Sequence, residues 1–301
     1  MIIVTGGLGF IGRNLVRKLR KQGRFVVILD TKIESLDSIY IWLTTNARDI
    51  DCIYHLGALT DTTIMNSVLF GEYNLFSSMF IWNLCTEYQI PLVYASSAAT
   101  YGDGEQGFDD EKSIKILQPL NPYGESKHLF DLWNELEEKT PPNWYGLKFF
   151  NVYGYGEADK GKMASVVFHT YNQVNNTGEM KLFKSHNLNF GDGEQLRDFV
   201  YVDDVVDVCI FMMENLPQSG IYNVGTGKAR SFNDLSKAVF NCLGICEKIS
   251  YIDTPIEIRD KYQYFTQAKI DKLRKIGYIA NFHELEDGVE KYINKLKYEN
   301  R

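Results

Sequence analysis

Short apolar runs alternate with longer amphipathic stretches over the first 150 residues of the chain. Residues 25–29 (FVVIL) have the length of a buried strand, whereas Ile11, Leu15 and Leu19 recur with the period of a helix. Strands that alternate with helices predict an α/β fold, in which a Rossmann-type, doubly wound parallel sheet carries helices on both faces. Predicted strands cover residues 1–4, 25–29, 52–56, 91–97 and 145–150, and predicted helices start at residue 11 and cover residues 74–88 and 122–138.

The pattern becomes mixed beyond residue 150, where helices and short strands follow one another without regular alternation. We predict that residues 1–150 form the Rossmann domain. Residues 151–301 are predicted to form mainly a smaller C-terminal α+β lobe, interleaved with the last Rossmann elements. The lobe's predicted helices cover residues 163–174 and 283–298 or start at residues 203 and 231, and its predicted strands cover residues 181–183, 199–202 and 222–224.

Four predicted strands end in small or polar residues. Gly6, Gly57, Ser97 and Asn151 each follow an apolar run directly. Ligands of doubly wound sheets bind at the carboxyl ends of the strands, so these four residues are expected to face one crevice.

A glycine-rich turn follows the first strand. Gly6, Gly9 and Gly12 permit a tight turn and let the backbone approach a pyrophosphate at the N-terminus of the next helix. The second strand ends at Asp30, about 20 residues on, where an acid suits an adenosine ribose. A glycine turn alone is also typical of other α/β proteins, but this strand–turn–helix–strand order favours dinucleotide binding.

Tyr123 and Lys127 are spaced to share one helix face. A cation close to a phenol favours the phenolate, and such a phenol can take a proton from an alcohol while a hydride leaves the same carbon. The spacing alone is equally typical of a solvated helix face, so the prediction of chemistry depends on the glycine turn.

Composition excludes several classes of function. The chain has 301 residues with ordinary apolar and charged fractions, and its net charge of −7 without a basic run argues against a nucleic-acid partner. No apolar run approaches the roughly 18 residues of a membrane span, and no signal segment precedes the first strand. We therefore expect no membrane partner and a cytoplasmic location. The five cysteines and five histidines lack metal-site spacing, so no metal is expected.

Six segments together match one known family. They are residues 6–12 (GGLGFIG), 55–58 (HLGA), 96–102 (SSAATYG), 123–127 (YGESK), 151–154 (NVYG) and 197–204 (RDFVYVDD). The chain resembles the extended short-chain dehydrogenase/reductases that act on nucleotide sugars. Within that family, residues 94–102, 160–169 (KGKMASVVFH), 181–183 and 262–268 (YQYFTQA) are similar to the epimerases that invert C6 of an ADP-linked heptose.

The resemblance implies an oxidation–reduction cycle and a nucleotide-sugar substrate. Hydride passes from C6 of the sugar to an oxidised nicotinamide cofactor, the ketone reorients, and the hydride returns to the other face. Tyr123 and Lys160 are implied as the two acid/base groups, with Ser97 bonded to the sugar oxygen and Lys127 tuning Tyr123. Lys162 stays open as a substitute for Lys160. The resemblance also suggests a homo-oligomer.

The family's binding positions carry over residue by residue. Arg197 suits a diphosphate because its planar fork binds two oxygens at once, the alternative being an ion pair with Asp198. His169 is as readily a structural histidine. The implied cofactor contacts are Gly6, Gly9, Phe10, Ile11, Gly12, Asp30, Thr31, Lys32, Leu56, Gly57, Ala58, Thr60, Asn74 and Lys127. The implied substrate contacts are Ser97, Asn151, Lys162, His169, Phe183, Ser185, Arg197 and Tyr262.

The chain departs from the family pattern between Asp30 and Asp51, which is short. We expect the third strand and the loop around the adenine to be missing or trimmed, with Asp37 inheriting the adenine contact. Lys32 favours NADP because it can meet a 2′-phosphate, whereas Asp30 alone would favour NAD. NADP is the expected cofactor, with NAD as the alternative.

A second departure is the long segment 186–195, whose FGDGEQ sequence looks like the broader epimerase and dehydratase group. It leaves another nucleotide-sugar epimerase, such as a UDP-hexose 4-epimerase, as the main alternative. A 4,6-dehydratase would carry an acidic pair where this chain has Ala98 and Ala99. The remaining alternative, a catalytically silent nucleotide-binding protein, is opposed by the intact set of Ser97, Tyr123 and Lys127.

Overall fold

The computed structural model describes residues 1–259 and 262–299. Its strands are β1 Ile2–Thr5, β2 Val26–Leu29, β3 Cys52–His55, β4 Leu92–Ser97, β5 Trp144–Phe149, β6 Asn151–Tyr153, β7 Met180–Phe183, β8 Leu196–Arg197, β9 Phe199–Tyr201, β10 Gly220–Val224, β11 Arg230–Ser231 and β12 Ile249–Ile252. Its α-helices are α1 Phe10–Lys21, α2 Leu36–Asn46, α3 Ser67–Phe70, α4 Ser77–Glu87, α5 Pro122–Leu136, α6 Val166–Thr177, α7 Val202–Asn215, α8 Phe232–Leu243, α9 Ile256–Arg259, α10 Asp271–Lys275 and α11 Leu285–Glu299.

Six of these strands form one parallel sheet in the order β10-β5-β4-β3-β1-β2. Leu15 of α1 and Val205 of α7 pack against one face, and Leu43 of α2 and Trp82 of α4 pack against the other. The doubly wound α/β fold predicted from the alternating pattern is therefore confirmed. β10 joins β5 in this sheet, so one strand of the Rossmann sheet comes from beyond residue 150.

The second lobe is built from short sheets and helices. The pairs β6–β9 and β7–β12 are parallel, and β8–β11 is antiparallel. A separate core joins β6 and β9 to the helices of this lobe, with Val167 of α6, Leu235 of α8 and Val289 of α11 fully buried in it. The boundary drawn at residue 150 stays a prediction.

β2 is an edge strand in the described sheet, and the chain passes from it through α2 directly to β3. The expected absence of a further strand on the adenine side is therefore confirmed for this part of the chain. Asp37 lies exposed in the first turn of α2. None of the described helices is both long and apolar enough to cross a membrane.

Two helices, α4 and α6, start three residues later than predicted. The helix predicted over residues 163–174 begins at Val166, because the Ser165 side chain caps its N-terminus by accepting the Phe168 N–H. Ala158–Met163 instead form a 3-10 turn interrupted at Gly161. The helix predicted from residue 74 is preceded by a π-helical turn, Gly71–Phe76, which apolar periodicity does not distinguish from an α-helix.

The glycine turn is packed at backbone contact. A Cβ on Gly12 would lie 2.2 Å from the Gly6 carbonyl oxygen, and a Cβ on Gly6 would lie 2.5 Å from the Gly57 backbone. Gly6 also has φ +67°, which favours glycine. The turn therefore tolerates no larger residue at these positions.

We expect Gly12→Ala to lower the free energy of unfolding by about 1–3 kcal/mol, because its methyl group overlaps backbone that must shift. Urea unfolding followed by circular dichroism measures the change. Gly71→Ala is the matched control, since the nearest atom to its Cβ is 3.8 Å away on the Phe76 ring. Equal stability of the two variants would contradict the packing argument.

Candidate active site

The loops that leave β1, β3, β4 and β5 meet at the carboxyl edge of the sheet. The Gly57 N–H donates to the Thr5 hydroxyl at 3.3 Å, and the same hydroxyl is hydrogen-bonded to Nδ1 of His55 at 2.7 Å. Asn151 follows β5 at the same edge, with its N–H bonded to the Asp198 carbonyl. The four strand-end residues predicted to share a crevice therefore lie at one edge of the sheet.

The N-terminus of α1 opens onto this edge. Its cap residue is Gly9, and no side chain caps the helix, so N–H groups of the first turn are available to a ligand. Asp30 holds the glycine turn from below. Its two carboxylate oxygens accept the N–H groups of Leu8 and Lys32, each at 2.9 Å.

These features fit a dinucleotide. Backbone donors, glycines at contact distance and an acid at the end of β2 are the elements that a pyrophosphate and a ribose require. The predicted cofactor residues lie in three places, and Thr60 lies exposed just beyond the last of them. They are Gly6 and Gly9 after β1 with Phe10, Ile11 and Gly12 in the first turn of α1, then Asp30, Thr31 and Lys32 after β2, and Leu56, Gly57 and Ala58 after β3.

The helix α5 presents Tyr123 to the end of β4. Asn121 caps α5 by accepting the Gly124 N–H at 2.8 Å, and Pro122 occupies its first turn. The Tyr123 hydroxyl is hydrogen-bonded to the Ser97 side chain, and Lys127 is buried one turn further along the helix. Desolvation lowers the pKa of Lys127 to about 8, partly opposed by the charge of Asp131.

One expectation about Tyr123 is corrected. The sequence predicted that Lys127 would lower the phenol's pKa, but desolvation raises the pKa of Tyr123, and the hydrogen bond with Ser97 opposes that rise. The physical reason is that burying the phenol disfavours its ionised form more than its surroundings compensate.

Lys160 lies on the 3-10 turn before α6. Its Nζ is 5.4 Å from the centre of the Phe10 ring at the start of α1. Desolvation lowers the pKa of Lys160, and Glu157 partly opposes this. Lys162 is exposed, and its carbonyl lies 3.4 Å from Nε2 of His169. The structure therefore places Lys160, rather than Lys162, beside the predicted cofactor turn.

Glu157 was missed by the sequence analysis, although it anchors this turn. Its fully buried carboxylate accepts the N–H of Gly154 at 3.2 Å and both the N–H and the hydroxyl of Ser165. These bonds join the two ends of the segment that carries Lys160. An acid in a polar turn has no sequence pattern that separates it from a solvated one.

Arg197 is buried without an acidic partner. It donates to the carbonyls of Leu196 and Gln263, its guanidinium lies 5.7 Å from the Tyr262 ring centre, and burial lowers its pKa to about 10. In the described part of the chain no carboxylate forms an ion pair with it. Asp198 instead accepts the N–H groups of Thr226, Gly227 and Ala268, so the alternative of an Arg197–Asp198 pair is wrong.

Aromatic rings extend from Arg197 toward the long segment 186–195. Tyr262 contacts Phe183 edge-on at 6.5 Å and Tyr264 at 5.3 Å, and Tyr264 contacts Phe190 of the segment. Ser185 directly precedes this segment, and its N–H donates to Asp192 within it. Gln263 was also missed by the sequence analysis: its side chain donates to the Gly102 carbonyl, which ties Arg197 to the turn after Ser97.

Asn74 was expected to contact the cofactor, and the structure gives it another role. Its buried amide donates to the Leu59 carbonyl and the Ser126 hydroxyl, and accepts the Leu59 N–H at 2.7 Å. Every hydrogen that the side chain can donate is therefore used inside the protein. Asn74 connects the loop after β3 to α5, which carries Tyr123.

Comparison with known proteins identifies the class. Residues 2–225 match the NAD dependent epimerase/dehydratase family. A relative from Fusobacterium nucleatum subsp. nucleatum is 46% identical over 97% of this chain and 97% of its own length. Another from Brachyspira hyodysenteriae is 39% identical over 99% of this chain and 98% of its own. A crystal structure from Helicobacter pylori matches with TM-score 0.83 and 28% identity, covering 98% of this chain and 96% of that one.

The chain therefore belongs to the NAD dependent epimerase/dehydratase family. All three of these similar proteins are named ADP-L-glycero-D-manno-heptose-6-epimerase. The resemblance drawn from residues 160–169 and 262–268 is confirmed at the level of these relatives.

Asn74→Ala is expected to lower the free energy of unfolding by about 1–3 kcal/mol, because it removes the partner of the Leu59 N–H and carbonyl and one hydrogen bond to the buried Ser126 hydroxyl. Asn83→Ala on the exposed face of α4 is the control and should change stability by less than about 0.5 kcal/mol. Chemical denaturation measures both, and a neutral Asn74→Ala would refute the connecting role.

Proposed function

We propose that this protein is a nucleotide-sugar epimerase, an isomerase that converts ADP-D-glycero-D-manno-heptose into ADP-L-glycero-D-manno-heptose, the precursor of lipopolysaccharide core heptose. The relatives that carry this name match nearly the whole chain. The observations that support the proposal are the positions of two candidate acid/base groups, Tyr123 beside Ser97 at the end of β4 and Lys160 beside Phe10 at the start of α1. Tyr123 approaches from α5, and Lys160 approaches from the turn before α6.

The cofactor supplies reversible hydride exchange with the C6 carbon of the sugar when it is bound. The α1 N-terminus and the three glycines would hold its pyrophosphate, and Asp30, whose carboxylate accepts the N–H groups of Leu8 and Lys32, would hold this turn in place beside the ribose. Lys127, buried beside these loops, keeps a positive charge beneath Tyr123.

Epimerisation requires proton exchange at the C6 oxygen in two orientations of the sugar. Tyr123 Oη, bonded to Ser97, takes or returns the proton in one orientation. Lys160 Nζ does so in the other, and the desolvation that lowers its pKa brings it closer to the range in which a lysine exchanges protons near neutral pH.

The substrate's diphosphate binds at Arg197. A buried guanidinium that lacks an acidic partner in the described structure favours a doubly charged ligand with paired oxygens. The rings of Phe183 and Tyr262 beside it offer flat apolar surface to the nucleotide. Asn151, Ser185 and His169 lie on neighbouring loops of the same lobe.

A second candidate is epimerisation of a different nucleotide sugar. The segment 186–195 favours this candidate. Its Phe190 contacts Tyr264 near Arg197, and in that position the segment would select the nucleotide or the sugar. Structural neighbours named as UDP-sugar 4-epimerases are 22–23% identical and share the fold. A UDP-hexose 4-epimerase would need Tyr123 and Ser97 but not Lys160.

The deciding experiment incubates purified protein with NADP and ADP-D-glycero-D-manno-heptose and resolves the C6 epimers by NMR. Appearance of the L-glycero epimer without net cofactor reduction is expected. With cofactor binding confirmed, absence of conversion would favour the second candidate, and absence of any epimerisation across nucleotide sugars would favour a silent nucleotide-binding protein.

In the same assay, Tyr123→Phe and Lys160→Met should each lower kcat by at least about 100-fold, because each removes one proton-exchanging group. Lys162→Met is the matched control and should keep near-normal activity, since Lys162 is exposed two residues away. Near-full activity of Lys160→Met would contradict the two-base scheme.

We propose further that NADP is preferred to NAD. Asp30 is occupied by two backbone donors, whereas the exposed Lys32 reaches toward the Leu8 carbonyl of the glycine turn, where it can meet a 2′-phosphate. Lys32→Ala should weaken NADP binding about tenfold in calorimetry while leaving NAD binding unchanged. Lys21→Ala at the far end of α1 is the control, and unchanged NADP affinity in Lys32→Ala would favour NAD as the natural cofactor.

A homo-oligomer and a cytoplasmic location both stay predictions, as does the adenine contact of Asp37. Sedimentation equilibrium measures the first directly.

A further inference from the structure

A buried ion pair lies beneath the part of α5 that carries Tyr123 and Lys127. Asp131 on α5 and Lys148 on β5 are fully buried, with Lys148 Nζ 2.7 Å from Asp131 Oδ2. A buried pair is unfavourable unless further hydrogen bonds satisfy its remaining donors and acceptors. The hydrogen bonds around this pair therefore decide whether it is tolerated below the end of α5 that carries Tyr123.

Hydrogen bonds connect this pair to the strand that ends in Ser97. Asp131 accepts the hydroxyls of Ser96 at 2.7 Å and Tyr94 at 3.1 Å. Lys148 also donates to the Thr100 hydroxyl at 2.6 Å, and that hydroxyl donates to the Ser97 carbonyl at 2.8 Å. The pair thus joins α5, the end of β4 and the turn after it into one unit.

Lys127 lies one helical turn before Asp131 on the same helix. It is buried, and no carboxylate forms an ion pair with it in the described part of the chain. Asp131 is the acid whose charge acts on it, and this charge opposes the desolvation that lowers the pKa of Lys127. Lys148 offsets part of the same carboxylate charge, because it is bonded directly to Asp131.

Few other groups on the packed elements carry charge toward Lys127. His55 on β3 faces it, but burial lowers the pKa of His55 to about 3, so His55 is neutral in the working range. His128, the next residue, also has a pKa lowered by burial. Tyr123 on the same helix has a raised pKa, and Glu72 on the π-helical turn against α5 is exposed. The charge at Lys127 therefore depends on Asp131 and, through it, on Lys148.

We propose that Asp131 and Lys148 are a positioning pair, which keeps Lys127 protonated beside Tyr123 and sets the upper pH limit of the epimerisation. This role rests on the proposed function, because it assumes that Tyr123 exchanges the substrate proton. Neither residue reaches the crevice itself, and both act through Lys127 and Ser97.

The two single substitutions should move the alkaline limb of the pH profile of kcat in opposite directions. Asp131→Asn removes the carboxylate that favours charged Lys127, so the limb should fall by about one pH unit. Lys148→Met leaves that carboxylate unopposed, so the limb should rise. Lys148→Arg keeps the charge and should restore the wild-type limb. Glu135→Gln, one turn further along α5 and exposed, should change nothing.

Each single substitution leaves a buried charge unpaired, so folding is checked by circular dichroism. The double variant Asp131→Asn/Lys148→Met removes both charges, so it tests the proposal even if Lys148→Met does not fold. Its limb should lie below that of the wild type, because the carboxylate one turn away affects Lys127 more strongly than Lys148 does. A double variant with an unmoved limb would overturn the proposal.

A second readout needs no substrate. Protein labelled with 13C at the lysine ε-carbon is titrated by NMR, with the Lys127 signal assigned through Lys127→Arg, and its midpoint should shift in the same two directions. Shifts in a protein without epimerase activity would support the pair and refute the proposed function. Active variants in which limb and midpoint both stay unmoved, or in which Asp131→Asn and Lys148→Met shift them in the same direction, would reduce the pair to a structural role.

Discussion

Three cations at the edge of the sheet are largely withdrawn from water, and in the described structure none of them has a carboxylate at ion-pair distance. Lys127, Lys160 and Arg197 each have a pKa lowered by desolvation. The lowering reflects the free-energy cost of keeping these charged groups away from water. The chain as a whole carries a net charge of −7. The positive crevice is therefore a local property of the fold, and it suits a ligand that brings its own negative charge.

Carboxylates are present around the crevice, but other donors occupy them. Asp131 is bonded to Lys148 and two hydroxyls, Glu157 to the backbone and hydroxyl of Ser165, and Asp198 to three backbone N–H groups. The charges of Asp131 and Glu157 act on Lys127 and Lys160, respectively, without forming an ion pair with them. These bonds offset the cost of burying the three carboxylates. They also leave the three cations without an acidic partner in the described structure, so that a negatively charged ligand can pair with them.

Local patterns predicted the Rossmann half of the molecule well. The glycine turn, the acid at the end of the second strand and the Tyr123–Lys127 spacing depend on residues close in sequence, so their geometry follows from helix period and turn chemistry. The short interval after Asp30 likewise predicted the absence of a further strand, and β2 is accordingly the edge strand of the described sheet. The predicted start of α6 was three residues too early. The apolar pattern continues through the preceding 3-10 turn, and only the Ser165 cap marks where the helix begins.

The sequence by itself determined the sheet, the glycine turn, the reactive helix and the family, because each is encoded by neighbouring residues. Tertiary structure alone decided which groups are buried and what they contact. It placed Lys160 rather than Lys162 against Phe10, turned Asn74 inward, freed Arg197 from Asp198, and raised rather than lowered the pKa of Tyr123. Desolvation and hydrogen bonding depend on segments far apart in the chain, and that dependence leaves no periodic signal in the sequence.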